Sequence, residues 1–184
     1  MTVILSVSQL KIFLCNSTEF IEMKKLYIVR HSKSPWKPGM DDFNRVLKKQ
    51  GQLNTSFMAG KLLSRGAKIE HIISSSAVRT TETTQLLNEI LNVPEQNITF
   101  SKELYLSPPE TLLNHIHSVP DSVNELMVVA HNPGVSQLIN FVANEHLQDV
   151  PTTGMACVTF DITSWKEIKN NGNLGFFIYP KMFK

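Results

Sequence analysis

Cysteine is scarce in this sequence: Cys15 and Cys157 are the only two in 184 residues. That excludes a disulfide scaffold and a zinc site built on cysteine, and it favours a reducing compartment, so a cytoplasmic location is expected. Charge of one sign is lacking as well. Lys+Arg number 18 against 16 Asp+Glu, a formal net charge of +2. Such a balance provides no broad field for a nucleic acid or a membrane, and neither is expected as a partner. No apolar run approaches the ~20 residues that span a bilayer. Arginine is rarer still. Arg30, Arg45, Arg65 and Arg79 are the only four, and the other cations are lysine. Because the guanidinium fork binds phosphate or carboxylate in a way an ammonium does not, each arginine is informative.

What is present is ordinary globular material. Hydrophobic residues make up 42% of the chain, and the length suits one domain. Residues 1–22 stand apart. Val3–Leu14 is broken by Ser6, Ser8, Gln9 and Lys11, and no positive charge precedes Lys11. A secretory signal would carry that charge ahead of its apolar stretch. Residues 1–22 therefore read as an N-terminal extension or a start-site artefact, with Met23 as a natural start and 23–184 as the domain.

From Lys24 the pattern is regular. Leu26–Val29, Ile69–Ile73 and Leu126–Ala130 are short continuous apolar runs, as buried parallel strands require. Helical patterns lie between them. Over Val78–Leu91, Leu86, Leu87, Ile90 and Leu91 share one side, with Glu82, Gln85 and Glu89 opposite. Val135, Leu138, Ile139 and Val142 follow the amphipathic spacing, and Lys48–Arg65 is helical with a less one-sided face. Met155–Asp161 and Leu174–Tyr179 read as late strands joined by a polar turn around Asn170–Asn173. The expected fold is α/β: a single domain with a mostly parallel central sheet flanked by helices, its late strands making one edge antiparallel.

Ligands in open α/β sheets bind beyond the carboxyl ends of the strands. Those ends carry Arg30-His31, the serines that lead to Arg79, and His131. If the strands are parallel neighbours, two histidines and two arginines converge there. Asn132-Pro133-Gly134 leads into the helix after His131, with Asn132 as its expected cap and Pro133 in its first position. A helix start adds free N–H groups, so the set describes a pocket for a tetrahedral dianion. The other histidines do not join it. His115 and His117 are two apart on a helix and do not share a face, so no metal pair is expected, and His71 and His146 have no nameable partner.

The same residues resemble a known family. Leu26-Tyr27-Ile28-Val29-Arg30-His31, Ser74 through Thr83, and Val128-Val129-Ala130-His131-Asn132-Pro133-Gly134 are similar to the three motifs of the histidine phosphatase (phosphoglycerate mutase-like) superfamily, in order. Asp42, Arg45, Leu47 and Gly51 fit the D-x-x-R-x-L-x-x-x-G pattern of its small SixA-type phosphohistidine phosphatases, and Pro151-Thr152-Thr153-Gly154 fits their late segment. Ser32 departs from the usual Gly or Ala, and Val46 from a frequent proline. The resemblance implies a phosphoglycerate mutase-like fold and a covalent route in which His31 attacks phosphorus and is transiently phosphorylated. It implies that Arg30 and Arg79 hold the phosphoryl oxygens, that His131 stabilises the transferring charge, and that Asn132 adds a backbone contact. Arg45 is a candidate for the pocket rim, the alternative being a simple pair with Asp41 or Asp42. No metal and no other cofactor is implied.

An absence bears on the substrate. Many superfamily members carry a glutamate general acid in an L-x-E segment, and here Leu104-Tyr105-Leu106 aligns with it, with Glu103 and Glu110 nearby. An alkoxide leaving group without a general acid loses about 10²–10⁴ in rate. A phosphohistidine imidazole leaves neutral and has no such need. The expected activity is therefore removal of phosphate from phosphohistidine on a protein, by a monomer. The alternatives are a phosphomonoesterase for a small phosphate ester, with Glu103 or Glu110 as acid, and a non-catalytic phosphate-binding module.

Overall fold

Alternate residues of the central strands feed two different cores, as a sheet covered on both faces requires. In the computed structural model, which describes residues 23–36 and 38–183, the strands are β1 (Lys24–Arg30), β2 (His71–Ser75), β3 (Ile98–Ser101), β4 (Glu125–Ala130), β5 (Met155–Phe160) and β6 (Asn173–Ile178). The helices are α1 (Lys49–Leu63), α2 (Val78–Leu91), α3 (Pro109–His117) and α4 (Gly134–Ala143). The 1–22 extension, with Cys15, lies outside the described residues. Leu26 and Ile28 of β1 pack with Leu126 and Val128 of β4 against Leu112 and Ile116 of α3 and Leu138 and Val142 of α4. Tyr27 and Val29 pack with Met127 and Val129 against Met58 and Leu62 of α1 and Leu87 of α2. The result is three layers, helices on either side of one sheet.

The sheet order is β3-β2-β4-β1-β5-β6. β3, β2, β4 and β1 run parallel, whereas β5 is antiparallel to both β1 and β6. The mixed α/β sheet is the one expected from the strand pattern, with the late strands as its antiparallel edge. Glu125 clamps the amino end. Its buried carboxylate accepts from Lys25 Nζ at 2.7 Å, Tyr27 Oη at 3.0 Å and the Lys68 N–H at 2.7 Å. Among the described residues, no helix is long and apolar enough to cross a membrane.

Two features differ from the sequence expectation. The second strand spans His71–Ser75, two residues beyond the apolar run, because Ser74 and Ser75 continue it while fully buried. Their hydroxyls are satisfied: Ser74 Oγ accepts from Thr84 Oγ1 at 2.9 Å and Ser75 Oγ faces His131. In α2 the buried face is Arg79, Thr80, Thr83, Thr84 and Leu87, while Leu86, Ile90 and Leu91 are half-buried. The helix turns its polar residues inward at its start, because that end borders the site.

Gly51 is imposed by close approach. A Cβ on Gly51 would stand 2.4 Å from the Lys33 carbonyl oxygen, whereas one on Gly60, in the same helix, would meet nothing within 4 Å. Gly51→Ala is expected to cost about 1–3 kcal/mol of unfolding free energy as an overpacked contact. Gly60→Ala is expected to gain up to about 1 kcal/mol from helix propensity. Urea denaturation of the two variants measures the contrast.

Candidate active site

β2, β4 and β1 are adjacent and parallel, so their carboxyl ends meet. Arg30 is in register with Ala130, which places His31 and His131 side by side, ring centroids 5.1 Å apart. β2 ends at Ser75, and three residues later α2 begins, carrying Arg79 in its first turn.

Arg79 is the hub. Its side chain is 2% exposed. Nε donates toward His31 Nε2 at 3.3 Å, Nη2 reaches His131 Nδ1 at 3.1 Å and Asp42 Oδ2 at 2.9 Å, and Nη1 donates to the Asp42 carbonyl at 2.5 Å. The guanidinium also lies 5.6 Å from the Tyr105 ring centroid, and that ring meets His131 edge-on at 5.5 Å.

Hydrogen-bond chemistry assigns the proton on each imidazole. His31 Nδ1 lies 2.8 Å from the Ser32 carbonyl oxygen, which can only accept, so Nδ1 bears the proton and Nε2 presents a lone pair. His131 Nδ1 faces Arg79, which can only donate, so its proton is on Nε2, 3.0 Å from Ser75 Oγ. Burial, with the arginine charges added, holds His31 down to about 3, against a bonus from its Ser32 hydrogen bond. Burial and then the neighbouring His31 and Arg79 hold His131 down to about 2. Both rings are uncharged at neutral pH.

The 42–51 segment is built around this hub. Asp42 Oδ1 takes Arg45 Nη1 at 2.6 Å, and Oδ2 takes Tyr105 Oη at 2.6 Å as well as Arg79. Partial burial works to raise the Asp42 carboxyl, but the Tyr105 and Arg45 hydrogen bonds and the Arg79 charge outweigh it and hold it at about 2. Arg45 also donates to the carbonyls of Pro35 and Ser34. The Leu47 N–H donates to Glu82 of α2 at 2.6 Å, and the Val78 N–H to the Phe43 carbonyl at 3.1 Å. Ser32 fastens the segment that carries His31. Its N–H donates to Thr83 Oγ1 at 2.9 Å and its hydroxyl to the Gly51 carbonyl at 2.9 Å, and it also contacts the Thr153 hydroxyl. Thr153 adopts φ 62, and its N–H lies 3.2 Å from the carbonyls of both Arg30 and His31.

The structure thus brings together His31, Arg79 and His131, and joins Arg45 to them through Asp42. Arg30 and Asn132 form a separate group. Arg30 Nη1 donates to Asp149 Oδ2 at 3.0 Å and to the Val150 carbonyl at 2.5 Å, and the Asn132 amide donates to the same two residues. Arg30 Nε and Asn132 Oδ1 are buried without a protein partner. Asn132 is not the helix cap expected from the sequence. α4 starts at Gly134 with Pro133 at the cap position and no side-chain cap, because the Asn132 side chain is engaged by Asp149 and Val150. Glu103 faces His115 at 3.5 Å, and Leu106 is half-exposed at φ 48. The side chain of that segment which reaches the cluster is Tyr105. Its part, and the bridging part of Asp42, were not legible in the sequence, although Asp42 stood in a recognised pattern. A cavity of about 510 Å³ between α2 and β3 holds none of these residues, and Glu89 and Glu95 in its wall suit it poorly to an anion. Among the described residues, no cluster of three or more His, Cys, Asp or Glu side chains is placed to hold a metal ion.

The depressed imidazoles make stability depend on pH. Between pH 6.5 and about 3 the unfolded chain binds protons that folded His31 and His131 refuse, so stability falls as pH drops through that window. From pH 7 to pH 5 the expected loss is about 2 kcal/mol per imidazole, with half-buried His71 adding to it in the same direction. Urea denaturation at the two pH values measures the slope, and His131→Asn should flatten it.

No family model matches the chain. An uncharacterised protein of Mycobacterium tuberculosis is 28% identical over 116 residues, 63% of this chain and 70% of its own. Among solved structures, the protein assigned as phosphohistidine phosphatase SixA in Agrobacterium tumefaciens is 27% identical with a TM-score of 0.73, over 85% of this chain and 98% of that one. The protein histidine phosphatase SixA complexed with tungstate has a TM-score of 0.75 at 21% identity, over 87% of this chain and 99% of that one. A mycobacterial glucosyl-3-phosphoglycerate phosphatase shares the fold at 12% identity and a TM-score of 0.61, over 83% of this chain and 97% of that one. With 27% identity across most of both chains, and the three motifs in sequence order bringing their residues to one sheet edge, the chain belongs to the histidine phosphatase superfamily and is SixA-like.

Proposed function

We propose that residues 23–184 form a metal-independent phosphatase that removes phosphate from phosphohistidine on a protein, through a phosphorylated His31. The observation that carries this reading is the orientation of His31. With its proton held on Nδ1 by the Ser32 carbonyl, its Nε2 lone pair faces the buried Arg79 guanidinium at 3.3 Å. A neutral nucleophile beside a fixed cation is what attack on a phosphoryl dianion needs.

In the first step the substrate's P–N bond breaks as the bond from His31 Nε2 to phosphorus forms. The departing imidazole leaves neutral, its other nitrogen keeping its proton. In the second step water attacks phosphorus, the Nε2–P bond breaks, and inorganic phosphate leaves. As Nε2 becomes bonded to phosphorus, the Arg79 Nε–H loses its acceptor and turns to a phosphoryl oxygen. His131, beside it, is held uncharged by burial and then by His31 and Arg79; a bound dianion offsets that cost, and a protonated His131 then stabilises the transferring group. Arg30 Nε, buried and unpaired, supplies a further donor. Asn132 adds a backbone contact, and Arg45 lines the rim through Asp42.

The surroundings of Glu103 support P–N over P–O cleavage. That carboxylate is turned toward His115, and the side chain from its segment that touches the site is a phenol already committed to Asp42. The protein works in the cytoplasm on this reading.

His31→Ala is expected to abolish turnover and phosphoenzyme formation while circular dichroism stays unchanged. Labelled phosphate trapped on another histidine in the wild type would overturn the nucleophile. Arg79→Lys is expected to lose at least about 10²-fold in kcat/KM, because an ammonium cannot hold His31, His131 and Asp42 at once.

Glu103→Gln and Glu110→Gln should each hydrolyse phosphohistidine within about threefold of wild type, less than a general acid contributes. A hundredfold loss on an alkyl phosphate, with an aryl phosphate spared, would identify the mutated glutamate as the acid and favour the small-ester reading.

A further inference from the structure

The sheet edge that carries His31 has a second concavity beside it. A cavity of about 370 Å³ is walled by Lys33, Gln50 and Asn54 on one side and by Thr152, Tyr179 and Lys181 on the other. Lys33 is two residues beyond His31, so their Cα atoms are at most about 7 Å apart. The other wall reaches the same edge by topology. β5 runs antiparallel to β1, so Thr152 precedes its start at the carboxyl edge. Met155 pairs with Ile178 at the end of β6, so Tyr179 and Lys181 emerge there as well. Ser32 joins both walls to the nucleophile, with its hydroxyl on the Gly51 carbonyl and on the Thr153 hydroxyl.

The lining is one-sided in charge. It holds two lysines and no carboxylate. Lys25, Arg30, Arg45 and Arg79 all stand in ion pairs, but among the described residues Lys33 and Lys181 have none. Gln50 Nε2 donates to Asn54 Oδ1 at 2.9 Å, which leaves the Asn54 amide N–H groups available as donors. Two ammonium groups, an amide and the Thr152 and Tyr179 hydroxyls around a concavity suit an anion. The phosphoryl group belongs at His31, so the second anion is a different group of the same substrate.

We propose that this cavity is a substrate subsite for a carboxylate, supplied by an Asp or Glu within about three residues of the phosphohistidine in an extended protein segment. The proposal rests on the phosphohistidine reading above. An extended segment advances about 3.3 Å per residue, so a side chain two or three positions away spans from His31 to the lysines. Lysine–carboxylate contacts open to solvent are individually modest and weaken with salt. The subsite therefore acts on KM and selects among substrates, and it leaves the chemical step alone.

The test uses two phosphohistidine peptides that differ only in Glu or Gln at the second and third positions after the phosphohistidine. With the wild-type chain, KM for the Glu peptide should be about fivefold lower, with equal kcat, and the difference should shrink in 0.5 M salt. In Lys33→Ala/Lys181→Ala the difference should vanish. Lys33→Glu/Lys181→Glu should reverse it, the Gln peptide then binding better. Equal KM values in the wild type, or a preference that survives in the alanine double variant, would overturn the subsite while leaving the phosphohistidine reading standing. Hydrolysis of neither peptide would overturn both. A preference confined to a carboxylate-bearing aryl phosphate over the unsubstituted aryl phosphate would assign the cavity to a small acidic ester and overturn the protein-segment source.

Discussion

A guanidinium with 2% of its side chain exposed is the constraint on which the site depends. Removing the Arg79 charge from water is expensive unless each face of the ion finds an acceptor. Asp42 answers with a carboxylate oxygen and a carbonyl, His131 with a ring nitrogen and His31 with its Nε2 lone pair. The acceptors come from the 42–47 segment and the ends of β4 and β1, and Arg79 itself comes from the start of α2. Satisfying one buried cation therefore sets the relative positions of three chain segments around that helix. It also imposes the imidazole tautomers, because an arginine N–H can only donate.

The sequence pattern shortly after the first motif acquires a physical meaning in this frame. Asp42 is the counter-charge of Arg79, and Arg45 holds Asp42 from the other side. Leu47 is buried and its N–H is fastened to Glu82. Gly51 lets α1 approach the Lys33 carbonyl closely and offers its own carbonyl to Ser32. Four residues spread over ten positions thus lock one loop between α1 and α2. Ser32, a departure from the family's usual Gly or Ala, uses its hydroxyl to tie the end of the His31 strand to α1 and to the Thr153 turn.

Electrostatically the site holds no imidazolium at neutral pH. Burial keeps both rings uncharged, so the fixed positive charge comes from arginine. Asp42 tempers that field on one edge of Arg79, and the edge facing His31 carries no carboxylate. Positive potential is in this way concentrated where His31 stands.

Much of this was legible without coordinates. The apolar runs Leu26–Val29 and Leu126–Ala130 became β1 and β4, α2 occupies Val78–Leu91 as its pattern required, and His31, Arg79 and His131 converge because strands with these ends are parallel neighbours. Local periodicity and motif spacing carry that information, since strand ends and helix starts are short-range features. The short edge strand β3, the inward-facing threonines of α2 and the Asn132 side chain were not legible in the same way. Each depends on a partner outside its own segment: β2 for β3, Ser32 for Thr83, Ser74 for Thr84, Asp149 for Asn132. The sequence by itself determined the alternation of strands and helices and which residues stand at the strand ends. Only the tertiary structure decided that Tyr105 and Asp42 close the site and that Arg30 turns to Asp149, because those outcomes rest on which polar groups lose water together and must find one another.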